Sequence, residues 1–308
     1  MQPSSRTASA APARDVGGIA IDWIFESPTV RLTRWNCLVR DRAVTAERQQ
    51  FWHVVGFPHR GSYVLQSEGE AALIDVNSIA FFNPLGVYRT SHPNGCGDHG
   101  AGIVVRPDVV ADALSEWGGD DDPAEARFPF LSAPSSPKAF WIQHQVLSRI
   151  AAPAPLDPLD VEESVLGLVA ESIAAGIRLS RRKLAARPGT VRRRRQSVDA
   201  ARGYLALHFR EPVRLAEVAA AAGVSPFHAC RMFRQETGIS ITRFLHRLRL
   251  RAALAELPGC RGDITRLALD LGYSSHSHFT CAFRREFGVP PSAAWNGGRF
   301  PSSAKSKN

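Results

Sequence analysis

Within eight residues, the segment His92-Pro93-Asn94-Gly95-Cys96-Gly97-Asp98-His99 carries two imidazoles, a thiol and a carboxylate. Those groups are donors for transition metals, and a thiol close to imidazoles also suits redox or nucleophilic chemistry. Cys37 or His59, brought in by the fold, would raise the donor number to four. The spacing fits no standard zinc pattern, however, and Gly95 and Gly97 suit a plain polar turn. The polar turn is the reading carried forward. The alternatives are contact with a small effector, with His59, His92, Cys96 and His99 as candidates, and metal or thiol redox sensing. No resident metal or cofactor is expected.

The strongest pattern lies elsewhere and is written twice, between Leu215 and Gly288. Apolar residues fall at i, i+3, i+4 and i+7 as Leu215, Val218, Ala219 and Ala222, and again as Ile264, Leu267, Ala268 and Leu271. Each set makes one buried stripe on a short helix. Gly223 and Gly272 follow, where a helix needs a left-handed stop. Ser225, with Pro226 behind it, and Ser274 or Ser275 are then fit to cap a second helix. Helix, glycine turn and capped helix make the helix-turn-helix plan. Charge agrees with a polyanion partner. From Arg192 to Arg299 there are 18 Lys+Arg against 8 Asp+Glu, while the remainder carries 20 against 21, so the net charge of +9 resides in the C-terminal third. A basic domain beside a neutral one points to a polyanion bound by one domain only.

The elements that must position these groups follow from periodicity and punctuation. Residues 1–18 read as a disordered lead-in without the apolar centre of a signal peptide. From 19 to about 106 the chain is rich in β-branched and aromatic runs, at 29–39, 51–57, 63–66, 71–76, 79–82 and 101–105, which suggests a sandwich or small barrel. Helices are expected over 108–117, 138–152 and 159–186. The apolar positions of the last, Val161, Val165, Leu168, Val169, Ile173, Ile177 and Leu184, fit either packing on the barrel or a dimerisation face. Residues 188–196, with four consecutive arginines, read as a basic interdomain linker, and the DNA-binding domain is expected over 197–298. Within it, a central helix at 240–257 is about 27 Å long and suits two recognition helices placed about 34 Å apart on DNA. Residues 299–308 read as a disordered tail. No apolar run of about eighteen residues exists, and the five unpaired cysteines, Cys37, Cys96, Cys230, Cys260 and Cys281, suit a reducing compartment. A cytoplasmic protein is the expectation.

With those residues in hand, the C-terminal third resembles the DNA-binding domain of the AraC/XylS family of bacterial transcription regulators. The resemblance rests on Leu215-Ala-Glu-Val-Ala, Arg231-Met-Phe-Arg, Arg247-Leu-Arg-Leu, Ile264-x-x-Leu-Ala and Ser277-His-Phe, with the strings that follow them. It implies base-edge contacts from Pro226, Phe227, Cys230 and Arg231 in the first recognition helix, and from Ser275, His276, Ser277, Thr280 and Cys281 in the second. Arg231 suits a bidentate contact to guanine. Arg234 and Arg284 fall on a solvated face near phosphates, while Ala229, Met232, Phe233, Phe279, Ala282 and Phe283 fall on the core stripe. Arginine is common in the family where Cys281 stands, so the second reader is expected to lean on phosphates. The N-terminal half, through Phe57-x-x-x-Gly61, Phe81-Phe82-Asn83-Pro84 and Tyr88-Arg89, resembles a cupin-like sensing domain.

The fold expected is therefore multidomain α+β: a cupin-like β-barrel with trailing helices over 19–187, then an all-α domain with two helix-turn-helix motifs. The function expected is sequence-specific, effector-controlled transcription regulation, with activator and repressor both open, and with double-stranded DNA, RNA polymerase, a small effector and a possible second copy as partners, and no membrane. The competing reading is a cupin-type or thiol enzyme fused to a DNA-targeting module. It needs a ligand or nucleophile set for which the barrel lacks the histidine-rich pattern.

Overall fold

The computed structural model of the chain describes residues 14–15, 18–39, 42–95, 97–118, 122–152, 156–184, 188–260 and 263–295. Most of the lead-in, the tail at 299–308 and Cys96 lie outside them. The N-terminal part holds strands β1 (Arg14–Asp15), β2 (Ile19–Glu26), β3 (Val30–Cys37), β4 (Arg48–Gln49), β5 (His53–Arg60), β6 (Ser62–Ser67), β7 (Glu70–Asp75), β8 (Ser78–Phe82), β9 (Val87–Ser91), β10 (Asp98–Val105) and β11 (Ser132–Pro134). Helices α1 (Pro107–Ser115), α2 (Pro137–Ala151) and α3 (Pro158–Leu184) complete it. The strands form two sheets, ordered β1-β2-β3-β10-β5-β8-β11 and β4-β9-β6-β7. Where a barrel was expected, the described strands do not close into one hydrogen-bonded ring.

The two-residue side-chain period sorts the central strands into two faces. Leu32, Val55, Phe57, Ile103 and Val105 pack with α1 and α3 in one apolar core. The alternate residues Thr33, Trp35, Val54, Gly56, Gly102 and Val104 line a space toward the second sheet. Gly100 is required where β3, β5 and β10 meet: a Cβ there would sit 2.3 Å from the Phe57 carbonyl oxygen and 2.5 Å from the Trp35 ring. The α3 stripe Val161, Val165, Leu168, Val169 and Ile173 is spent on the chain's own sheet and α1. Of the two readings open for it, intramolecular packing is the one observed.

Among the described residues seven α-helices follow: α4 (Pro188–His208), α5 (Leu215–Ala221), α6 (Pro226–Thr237), α7 (Ile241–Glu256), α8 (Ile264–Asp270), α9 (His276–Phe287) and α10 (Pro291–Trp295). The expected linker at 188–196 is instead the start of α4. Pro188 suits a first helical turn and arginine is a good helix former, so the run continues into the helix expected only from Ser197. Arg194 in it pairs with Glu236 of α6 at 3.5 Å. The central α7 serves two cores. Phe244 and Leu248 join Leu205, Val218 and Phe233, while Leu250, Ala253 and Leu254 join Leu267, Phe279, Phe283 and Phe287.

The sheet part and the helical part touch. Phe140 and Trp141 of α2 enter the second helical core, where Trp141 lies 5.5 Å from the Phe287 ring. Arg251 of α7 is buried and donates to the carbonyls of Val76 and Ser135. Arg202 of α4 donates from Nε and Nη2 to Asp75 Oδ2 at 3.0 and 2.8 Å.

Candidate nucleic-acid interface and the pocket between the sheets

The two recognition helices owe their form to their termini. Ser225 caps α6 by accepting the His228 amide, Pro226 fills its first turn, and Gly238 closes it at φ 75°. Ser275, rather than Ser274, caps α9 by accepting the His278 amide at 3.1 Å, and Gly288 closes it at φ 78°. The turns before them need the left-handed conformation at Gly223 (φ 66°) and Gly272 (φ 75°). Each helix keeps one face inside. Ala229 and Phe233 of α6, and Phe279, Ala282, Phe283 and Phe287 of α9, are buried, whereas Met232 is half-buried.

The opposite face carries the residues singled out from sequence. Pro226, Phe227, Cys230, Arg231 and Arg234 are all exposed, and so are Ser275, His276, Ser277, Cys281 and Arg284; Thr280 is half-buried. Phe227 is 74% exposed, with the His228 ring edge-on to it at 6.2 Å. His276, Ser277, Thr280, Cys281, Arg284 and Arg285 together line one shallow concavity on α9. Arg231, Arg234, Arg284 and Arg285 form no ion pair among the described residues, unlike Arg247, which is held by Glu286 at 2.7 Å. Free guanidinium groups on exposed helix faces are suited to phosphate oxygens and to guanine edges. At 16 residues, α7 is about 24 Å long, slightly shorter than expected.

Sequence reasoning missed the groups that lock this frame. Arg249 of α7 is buried and donates to three backbone carbonyls, of Phe209, Gly272 and Glu211, at 2.6–2.8 Å. It therefore ties α4, α7 and the glycine turn before α9 together. Its sequence signal was present, since an arginine on the apolar stripe of a helix must spend its donors on protein groups.

In the sheet part, a cavity of about 280 Å³ opens between the sheets. Its wall is aromatic, with Trp23, Trp35, Trp52, Tyr63, Phe82 and Tyr88, and His92 and Asp98 supply its polar end. Of the sequence candidates among the described residues, only His92 lines it, and Cys96 lies outside them. His59 lies elsewhere, against Gln143 at 2.8 Å and edge-on to His99 at 6.1 Å. Burial, with the nearby His99, His144 and Arg34, pulls the His59 pKa down to about 3, and burial lowers that of His99 as well. At His92 burial also opposes the proton, but hydrogen bonds with Asp98 and Cys37 outweigh it and raise the pKa to about 9. Its Nε2 lies 2.6 Å from Asp98 Oδ2 and 3.6 Å from Cys37 Sγ, and its Nδ1 is buried without a partner among the described residues. The Trp35 indole donates to the other Asp98 oxygen at 2.7 Å. A turn does stand at 93–95, closed by the Gly95 amide donating to the His92 carbonyl at 2.8 Å, and its two buried ends, His92 and Asp98, meet Cys37 of β3.

Comparison with known proteins places the helical part. A family described as "Helix-turn-helix domain" matches residues 218–296. The chain is 36% identical over 85 residues to the regulatory protein SoxS of Salmonella typhimurium, a match covering 28% of this chain and 79% of that protein. It is 36% identical over 84 residues to the transcriptional activator RhaS of Escherichia fergusonii, covering 27% of this chain but only 30% of RhaS. Among solved structures, the C-terminal domain of AraT from Geobacillus stearothermophilus is similar over 36% of this chain and 93% of that chain, at 31% identity and a TM-score of 0.31. ToxT from Vibrio cholerae is similar over 87% of this chain and 98% of that chain, at 10% identity and a TM-score of 0.33. Among the described residues, no helix is long and apolar enough to cross a membrane.

Proposed function

The chain belongs to the AraC/XylS family of bacterial transcription regulators and is a DNA-binding transcription regulator; on that premise we propose that α6 and α9 read a bipartite DNA site under control of a small effector held between the two sheets. The observation that carries the reading is the division of both helices into a buried back and an exposed front with unpaired arginines. Arg231 contacts guanine from α6, Phe227 offers apolar surface to a thymine methyl, and Arg234 holds phosphate. In α9, His276, Ser277 and Thr280 face bases with Ser275 at the cap, while Cys281 leaves Arg284 to anchor the backbone. Pro226 and Cys230 complete the first reader. The first half-site is then read more strictly than the second.

We assign residues 19–187 to a cupin-like sensing unit and 197–298 to the DNA-binding unit. The aromatic cavity supports a sensing role, because concave, largely apolar pockets with a few polar groups are the usual form of small-ligand sites. RNA polymerase and a second copy of the chain are the further partners, and the cytoplasm is the location. The enzyme alternative gains little from geometry. A thiol relay uses both ring nitrogens of its histidine, whereas Cys37 and Asp98 meet His92 at the same Nε2.

Selection of binding sites from a random DNA library tests the reading. A discrete consensus with two conserved blocks is expected. Recovery of unselected sequence at high salt-dependent affinity would leave only a non-specific DNA binder.

A further inference from the structure

We propose that Cys37, His92 and Asp98 form a zinc site at the polar end of the cavity between the sheets. In the sequence the spacing of 92–99 fits no standard zinc pattern and Gly95 and Gly97 suit a plain turn. Cys37, a donor that only the fold could bring in, is the thiol that joins His92 and Asp98. Cys37 ends β3, Asp98 begins β10, and the two are paired in register across the sheet. His92 enters just after β9. The three donor atoms, Sγ, a ring nitrogen and a carboxylate oxygen, lie within 4.8 Å of one another. The three residues are 2%, 1% and 5% exposed.

Several features separate this cluster from a chance meeting of polar groups. Sγ and Oδ2 both converge on the same His92 nitrogen, so the centre of the group is a shared point and not a chain of hydrogen bonds. Tetrahedral zinc with ordinary bond lengths sets sulfur and nitrogen about 3.6 Å apart and nitrogen and oxygen about 3.3 Å apart. The first distance is already 3.6 Å, and the second, 2.6 Å, must open by about 0.7 Å as the bridging proton gives way to the ion. Trp35 holds the second Asp98 oxygen, an outer contact of the kind that orients metal ligands. The backbone is packed to bring the ligands together. A Cβ at Gly97 would lie 2.0 Å from the Cys37 carbonyl oxygen, and one at Gly61, at φ +81°, would lie 2.3 Å from the Gly97 carbonyl oxygen.

The donor set selects the ion. Thiolate, imidazole and carboxylate together suit zinc, whereas calcium and magnesium want oxygen alone. A thiolate and a carboxylate also bring two negative charges to a dication, so the buried centre is neutral overall, as burial demands. Three protein ligands leave one position. Because His92 and Asp98 line the cavity, that position faces it, open to water or to a donor atom of a bound small molecule. The site rests on the cluster's own geometry; its failure would leave the DNA-reading proposal intact.

The test uses the full chain, stripped with chelator and titrated with Zn2+, and with Co2+ as a spectroscopic substitute. One equivalent per chain is expected, with a thiolate-to-cobalt charge-transfer band. The band should vanish in Cys37→Ser and persist in Cys96→Ser and in the triple serine variant of Cys230, Cys260 and Cys281. Asp98→Asn should weaken zinc binding by at least about tenfold. Should Cys37→Ser fail to fold, X-ray absorption of the zinc-loaded native chain decides, with one sulfur at about 2.3 Å and nitrogen or oxygen at about 2.0 Å expected. Absence of stoichiometric binding, a charge-transfer band that survives Cys37→Ser, or a shell of nitrogen and oxygen alone would overturn the proposal.

Discussion

Replacing Arg202 with alanine measures how firmly the helical part is held to the sheet part. Asp75 is 1% exposed, and its Oδ2 accepts both bonds from Arg202. Arg202 Nη2 also donates to Ser78 Oγ at 2.7 Å. Were this pair on the surface, its loss would cost under about 1 kcal/mol. Buried, it leaves a carboxylate stranded, for which about 3–5 kcal/mol is usual. Two local bonds to Oδ1 survive the change, from the Asn77 amide and the Ser78 hydroxyl, so the low end, about 3 kcal/mol, is expected. Arg202→Ala with Asp75→Asn strands no full charge and should lose less than the sum of the two single changes, by about 1–3 kcal/mol. Urea unfolding of the full chain, followed by circular dichroism, measures all three variants. A loss below about 0.5 kcal/mol for Arg202→Ala, or strict additivity of the pair, would refute the buried-pair account.

Three further outcomes follow from the same geometry. Arg231→Ala should weaken specific DNA binding by about 1–3 kcal/mol and relax one base position, read by fluorescence anisotropy on variant operators; equal loss on random DNA would make Arg231 a phosphate contact. His59 has a folded pKa of about 3 against an ordinary 6.5, so the unfolded chain takes up the proton first and the stability associated with neutral His59 is lost as pH falls below 6.5. Between pH 8 and pH 5 that loss amounts to about 2 kcal/mol, and His59→Gln, which keeps an acceptor for Gln143, should lose less over the same range. Gly100→Ala should destabilise the sheet part by about 1–3 kcal/mol or more in thermal melts, because neither the Phe57 carbonyl nor the Trp35 ring is free to retreat.

The helical part was legible because its signals are local. Stripe, glycine, serine cap and closing glycine each act within a few residues, and α5, α6, α8 and α9 begin and end within a residue or so of where those signals put them. The sheets were only half legible. The runs at 29–39 and 101–105 became β3 and β10, but β2 was missed although Ile19, Ile21 and Trp23 alternate and line the cavity. What no local signal carries is partnership across the chain. Cys37 and His92 are 55 residues apart; the pairing of β3 with β10 sets Cys37 opposite Asp98, and His92 reaches both from the turn between β9 and β10. The arginines misled for a similar reason. Charge suggests solvent or DNA, yet Arg249 and Arg251 are buried on carbonyls; their place on the apolar stripe of α7 signals burial, but which carbonyls they meet is set by contacts far along the chain.

The most direct measurement of the central claim is a nuclease footprint of the full chain on a selected site, taken beside Arg231→Ala and a His276→Ala/Ser277→Ala variant. Two protected blocks are predicted, about one helical turn apart, with Arg231→Ala opening one block and the α9 variant opening the other. Protection of a single block, or uniform loss of both blocks with either variant, would contradict the assignment of α6 and α9 as separate readers.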